Sequence, residues 1–319
     1  MTSREVLPSL VGDVSDFYAK HWRTAPAVFR PRERQEQAPD STGPIGSPGP
    51  ISLQEVDDAI DSGLLRVPYV EMVRKSTPID AGDYTKARTV NNVLAEGFAD
   101  AEGIRRMMDD GVTLLLRNVE HWHVGTREAA ALLERELGHR VEAFLFATPP
   151  GEQGLPVHRD DADVLLVQIQ GGKRWKVYDG PRDTAWSPGR AGNVGPALLT
   201  EVVREGEVLY VPRGYAHEAV GEQDELSVHL SFTVREVGRS ELYAALERLL
   251  LDGMPLNHRP RTEQELLADA EHLLDRFRAG AGRLTAADVL AEARRAEATG
   301  GEPSRSALAG FDRTVETPS

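Results

Sequence analysis

The sequence predicts a mainly β fold with flanking helices, an antiparallel barrel or double-sheet jelly roll. Three observations carry this. From Val141 the chain reads as short apolar or alternating runs, VEAFLFA, VLLVQIQ, KRWKVYD, EVLYVP and LSVHLSFTV, separated by glycine, proline and acidic turns. On either side of that stretch the apolar spacing is helical. The 319 residues include no cysteine, so neither disulfides nor thiolate metal sites can organise the chain.

Taken in order, DVSDFYAKHW predicts a short helix over 13–22, anchored by Phe17 and Trp22 and capped by Asp13 or Ser15. The stretch from Arg30 to Pro50 has few apolar residues and many breakers, which predicts a mobile loop. Ser52 and Glu55 form a capping box that opens a helix through about Ile60. Another helix is expected from about Ala99 to Asp109, and a buried strand from Val112 in VTLLLRNV. Between Arg127 and Leu137 the spacing of Ala130, Leu132, Leu133 and Leu137 gives an amphipathic helix. After the strands, ELYAALERLLLDG, EQELLADAEHLLDRFRAG and TAADVLAEARRAEA read as helices. The expected division is an N-terminal helical and loop region over 1–110 packing on a barrel over 111–239. A helical region over 240–300 and a poorly ordered tail over 301–319 follow.

Composition narrows the function classes. Hydrophobic residues make up 40% and charged residues 28%, as in ordinary globular proteins, and no apolar run is long enough to span a membrane. The start, MTSREVLPSL, lacks a signal peptide's basic start and apolar core, so a cytoplasmic location is expected. A net charge of −14 argues against nucleic acid, whose phosphates call for a basic surface. A basic peptide or protein suits this surface better.

The chemistry centres on ATPPGEQGLPVHRDDAD. In a strand, side chains two apart point to the same side, so His158 and Asp160 can reach one cation. A second imidazole is available from His217 in GEVLYVPRGYAHEAV, just after a proline–glycine turn. Two histidines and a carboxylate with other positions open form the facial triad of non-haem Fe(II) oxygenases. On the strand GGKRWKV, period-two alternation with Trp175 and Val177 puts Lys173 inward, where a lone cation is costly without an anion. Arg174 and Lys176 then face solvent.

The stretch TPPGEQGLPVHRDDADVLLVQIQGGKRWKVYD resembles the core of the JmjC-type cupin oxygenases, in particular their ribosomal-oxygenase branch. REGEVLYVPRGYAHEAV is similar to that branch's second metal-histidine segment, and LSVHLSFTV to the strand closing its site; the similarity is dense from about Gly111 to Thr233. The resemblance implies a double-stranded β-helix and Fe(II)- and 2-oxoglutarate-dependent hydroxylation of a protein or peptide residue. It further implies His158, Asp160 and His217 as iron ligands, and Lys173 with Ser231 holding the cosubstrate. Helices after the barrel pair subunits in that branch, so a homodimer is expected. One departure stands out: where the family usually has Asn and Tyr before its TPP, this chain has Phe144 and Phe146, which donate no hydrogen bond.

Other side chains have two readings each. Asp163 either stabilises a turn or orients the loop beside the metal, and His229 is a core histidine or a hydrogen-bonding neighbour of the metal. His121 and His123 form an H-x-H without a matching carboxylate, and Tyr210 and Trp175 suit barrel core. Two other functions are compatible with these residues. One is a cupin isomerase or dioxygenase acting on a small molecule without 2-oxoglutarate; the other is a non-catalytic binding module.

Overall fold

The computed structural model describes residues 5–30, 51–75, 77–183, 186–251, 259–260 and 262–297. The loop expected within 30–50, beyond Arg30, and the tail expected over 301–319 lie outside them. The chain falls into two compact units, residues 1–235 and 236–319.

In the first unit, the strands are β1 (Ala27–Phe29), β2 (Val70–Arg74), β3 (Thr77–Pro78), β4 (Thr85–Val90), β5 (Val93–Ala99), β6 (Thr113–Leu116), β7 (Val141–Thr148) and β8 (His158–Arg159). They continue with β9 (Asp163–Gln170), β10 (Gly172–Tyr178), β11 (Gly189–Arg190), β12 (Ala197–Arg204), β13 (Val208–Val211), β14 (Ala216–Gly221) and β15 (Ser227–Val234). One antiparallel sheet has the order β1-β13-β9-β15-β7-β6-β2-β3, a second β11-β8-β14-β10-β12, and β4 and β5 form a separate hairpin. Neighbours in space are distant in sequence, as a jelly roll requires.

The larger sheet is covered on both faces, so β15 is buried at every position. One face carries Ala143, Leu145, Leu165, Val167, Leu230 and Phe232 into the main core, where helices contribute Leu7, Phe17, Ile60, Ile104 and Leu133. Each such fully buried side chain contributes about 1.5–3 kcal/mol. The other face meets the smaller sheet through Val164, Leu166, Trp175, Val177, Leu209 and Ala219. Strand β10 alternates as expected: Lys173, Trp175 and Val177 are buried, Arg174 and Lys176 exposed. Between β9 and β10, Gly171 has φ +65°, and a Cβ there would lie 2.4 Å from the Leu226 carbonyl oxygen, so only glycine fits this turn.

The helices of this unit are α1 (Leu7–Val11), α2 (Val14–Lys20), α3 (Leu53–Asp61), α4 (Ala101–Asp109), α5 (Val119–Trp122) and α6 (Val124–Leu137). Asp13 caps α2 through Asp16 N, which settles the choice between Asp13 and Ser15. The Ser52–Glu55 capping box forms at α3. Two expectations change. Residues 1–110 form no unit of their own and are not only helix and loop: β1 to β3 extend the larger sheet. They are two to five residues long, too short for periodicity to reveal. The compact unit also ends at Arg235 rather than 239. The second unit contains α7 (Arg239–Leu251), α8 (Glu263–Ala281) and α9 (Ala286–Glu297), with Glu292 joined to Arg248 at 3.0 Å.

Candidate metal centre and its pocket

The two histidines meet because β8 pairs with β14 in a register that sets His158 opposite His217. Their rings lie 4.2 Å apart between centroids. Each ring is fixed by its own backbone: His158 Nδ1 donates to the Pro156 carbonyl at 2.8 Å and His217 Nδ1 to the Tyr215 carbonyl at 3.1 Å. A carbonyl only accepts, so each Nδ1 carries a proton, and it is Nε2 of each ring that is turned toward a ligand. Asp160 stands between them, Oδ1 3.7 Å from His158 Nε2 and Oδ2 3.5 Å from His217 Nε2. These separations suit donors arranged around one ion better than hydrogen bonds. Only His158 and Arg159 are in strand pairing, and Asp160 follows at the strand's end, a looser arrangement than same-face strand geometry predicts. Among the described residues, this is the one cluster of three metal-binding side chains that converge within 4.8 Å.

Burial first, and then His158, hold His217 well below the usual histidine range. A neutral imidazole is the form that binds a metal. The donor set of two imidazole nitrogens and one carboxylate fits a first-row divalent ion such as Fe(II).

The cluster opens on a cavity of about 350 Å³ that also receives Lys173, Trp175, His229 and Ser231. Lys173 is 2% exposed and donates to Thr148 Oγ1 at 2.8 Å. With no carboxylate beside it, burial alone pulls its ammonium down to about 7. Gly154 faces the same place: a methyl there would stand 3.5 Å from both Lys173 Nζ and Thr148 Oγ1. A buried cation with a hydroxyl beside it and a side-chain-free wall opposite is a fit for one end of a dicarboxylate such as 2-oxoglutarate. Phe144 and Phe146 line the wall formed by β7. Thr148 and Gly154 escaped the sequence reading, since only the pairing of strands shows which hydroxyl meets an inward lysine.

Asp163 takes the turn-stabilising role. Fully buried, it accepts from Tyr210 Oη at 2.6 Å, Arg213 N at 3.1 Å and Arg23 Nε at 3.2 Å. These bonds tie β9 to the turn that leads to His217 and to the segment after α2. Tyr210 is core, stacked on Trp22 and edge-on to Phe17. His121 lies in α5 beside Tyr69, and His123 caps α6 by accepting from Thr126 N at 3.2 Å. Trp175 is buried as expected, yet it lines the cavity as well.

Fold and site together define a jelly-roll protein whose cavity is lined by a cluster of two histidines and one carboxylate. Residues 119–242 match the family described as the JmjC domain. The bifunctional lysine-specific demethylase and histidyl-hydroxylase NO66 of Drosophila simulans is 30% identical over 172 residues, 52% of this chain and 20% of that protein. Its counterpart in Drosophila grimshawi is 27% identical over 261 residues, 79% of this chain and 33% of that protein. The chain thus spans a fifth to a third of these relatives. The X-ray structure of E. coli ycfD shares the fold at TM-score 0.50 and 19% identity, covering 84% of this chain and 68% of that one.

Proposed function

We propose that the protein is an Fe(II)- and 2-oxoglutarate-dependent oxygenase that hydroxylates a residue of a protein or peptide. Lys173 carries this reading. A buried ammonium in the cavity that the candidate metal ligands line has a use in holding a dicarboxylate cosubstrate and none in a small-molecule cupin that binds its substrate on the metal alone. His158, Asp160 and His217 would hold the iron, and Lys173 and Ser231 the 2-oxoglutarate. Iron and 2-oxoglutarate, when bound, supply with dioxygen the power to oxidise an unactivated C–H bond.

The chain's own residues do the rest. The two backbone carbonyls hold the imidazoles with Nε2 forward, Lys173 and Thr148 orient the cosubstrate, and Phe144, Phe146 and Trp175 keep water from the reacting end. The acidic surface suits a basic protein or peptide substrate, and the relatives' names make histidine the first target residue to test. The helices of the second unit support a homodimer: α8 exposes Leu266, Leu267, Leu274 and Phe277. Incubating the iron-loaded protein with 2-oxoglutarate and a digest of cellular proteins tests the function. The expected outcome is peptides heavier by one oxygen atom, dependent on both additions; an unchanged digest contradicts it.

A further inference from the structure

On β7, Phe144 and Phe146 offer the cavity no hydrogen-bond donor, so apart from Thr148 polar recognition there falls to other strands. Directly opposite Phe146 in the β7–β15 register stands His229, its ring stacked on the phenylalanine at 5.0 Å and an interplanar angle of 12°. Trp175 closes it in from the other sheet at 5.5 Å, nearly perpendicular. His229 is 3% exposed and lines the cavity, and among the described residues its Nδ1 has no hydrogen-bond partner. A buried polar group left unpaired costs about 1–3 kcal/mol, so an imidazole kept at a cavity wall with so few protein partners is suited to a ligand there. The ring is also electrically suited to the place. Burial and then Lys173 hold it far below the usual histidine range, leaving a neutral N–H beside an ammonium.

Resting on the reading above, we infer that His229 is a positioning residue for 2-oxoglutarate, donating an imidazole N–H to the carboxylate that Lys173 receives. It takes over hydrogen bonding that the two phenylalanines cannot provide. The aromatic sandwich fixes the ring plane, so the donor is pre-aimed and little is lost in ordering it.

The test is equilibrium binding of 2-oxoglutarate to the Mn(II)-loaded full chain, with no turnover involved. His229→Phe keeps the stack and removes the donor; it should weaken binding about tenfold while leaving metal stoichiometry and melting temperature unchanged. His229→Gln should recover part of the loss by restoring an N–H. In the wild-type chain with nitrogen-15-labelled histidine and Zn(II) in the site, adding 2-oxoglutarate should move the His229 ring resonances. Equal affinity in wild type and His229→Phe, or unmoved His229 resonances at saturation, overturns the inference and leaves the proposed function standing. A wild-type chain that binds no 2-oxoglutarate overturns both.

Discussion

At the scale of single residues, the site depends on groups that are costly without their ligands. Lys173 is the clearest case. Removing one member of a buried ion pair costs about 3–5 kcal/mol. Lys173→Ala should therefore lose at least about a hundredfold in 2-oxoglutarate affinity while keeping its metal; calorimetry showing equal affinity would contradict the assignment. The pH dependence has a definite sign. Before ligand binds, burial holds the lysine at about 7, and the carboxylate requires the charged form, so binding draws in a proton above that pH. Affinity should fall about tenfold per pH unit from roughly 7 to 9, with uptake of about one proton seen by titration in buffers of different ionisation enthalpy. A flat profile over that range would mean the lysine is not the anion's partner. For the metal, His217→Ala removes a ligand whose Nε2 the backbone has already aimed, and should abolish stoichiometric iron binding in an iron assay of the purified chain.

At the scale of elements, the Asp163 network braces the turn that leads to His217. Its carboxylate holds the Tyr210 hydroxyl, the Arg213 N–H and the Arg23 guanidinium, all brought together by folding. Asp163→Ala strands these donors in the interior and should destabilise the first unit by about 3 kcal/mol in denaturant unfolding. A change under about 0.5 kcal/mol would show the network to be dispensable. Much at this scale was legible beforehand. Alternation in GGKRWKV placed Lys173 inside, and S-x-x-E placed a helix start at Ser52, because each signal is local. The proximity of His158 and His217 rested on the likeness of two separated segments, since only the register of β8 with β14 makes them neighbours. Thr148 and the orphaned Nδ1 of His229 were beyond reach, being consequences of packing between sheets. The short strands β1 to β3 were missed because two to five residues carry no measurable period.

At the scale of the whole molecule, a jelly roll carries the metal-binding cluster in the first unit, and the second unit is helical with an exposed apolar stripe on α8. Among the described residues no helix is long and apolar enough to cross a membrane. The proposed pairing with a second copy would cover the stripe. Replacing Leu267 and Leu274 together by Asp should turn a dimer into a monomer in light scattering at micromolar concentration and leave iron binding intact; a wild-type chain already monomeric there removes the basis for pairing. The central claim, that this cluster runs 2-oxoglutarate chemistry, is tested most directly by succinate release. The protein loaded with one Fe(II), given 2-oxoglutarate and dioxygen, is predicted to form succinate, and the His217→Ala and Lys173→Ala variants are predicted to form none. No succinate from the iron-loaded wild type, or equal release from the variants, would contradict the account.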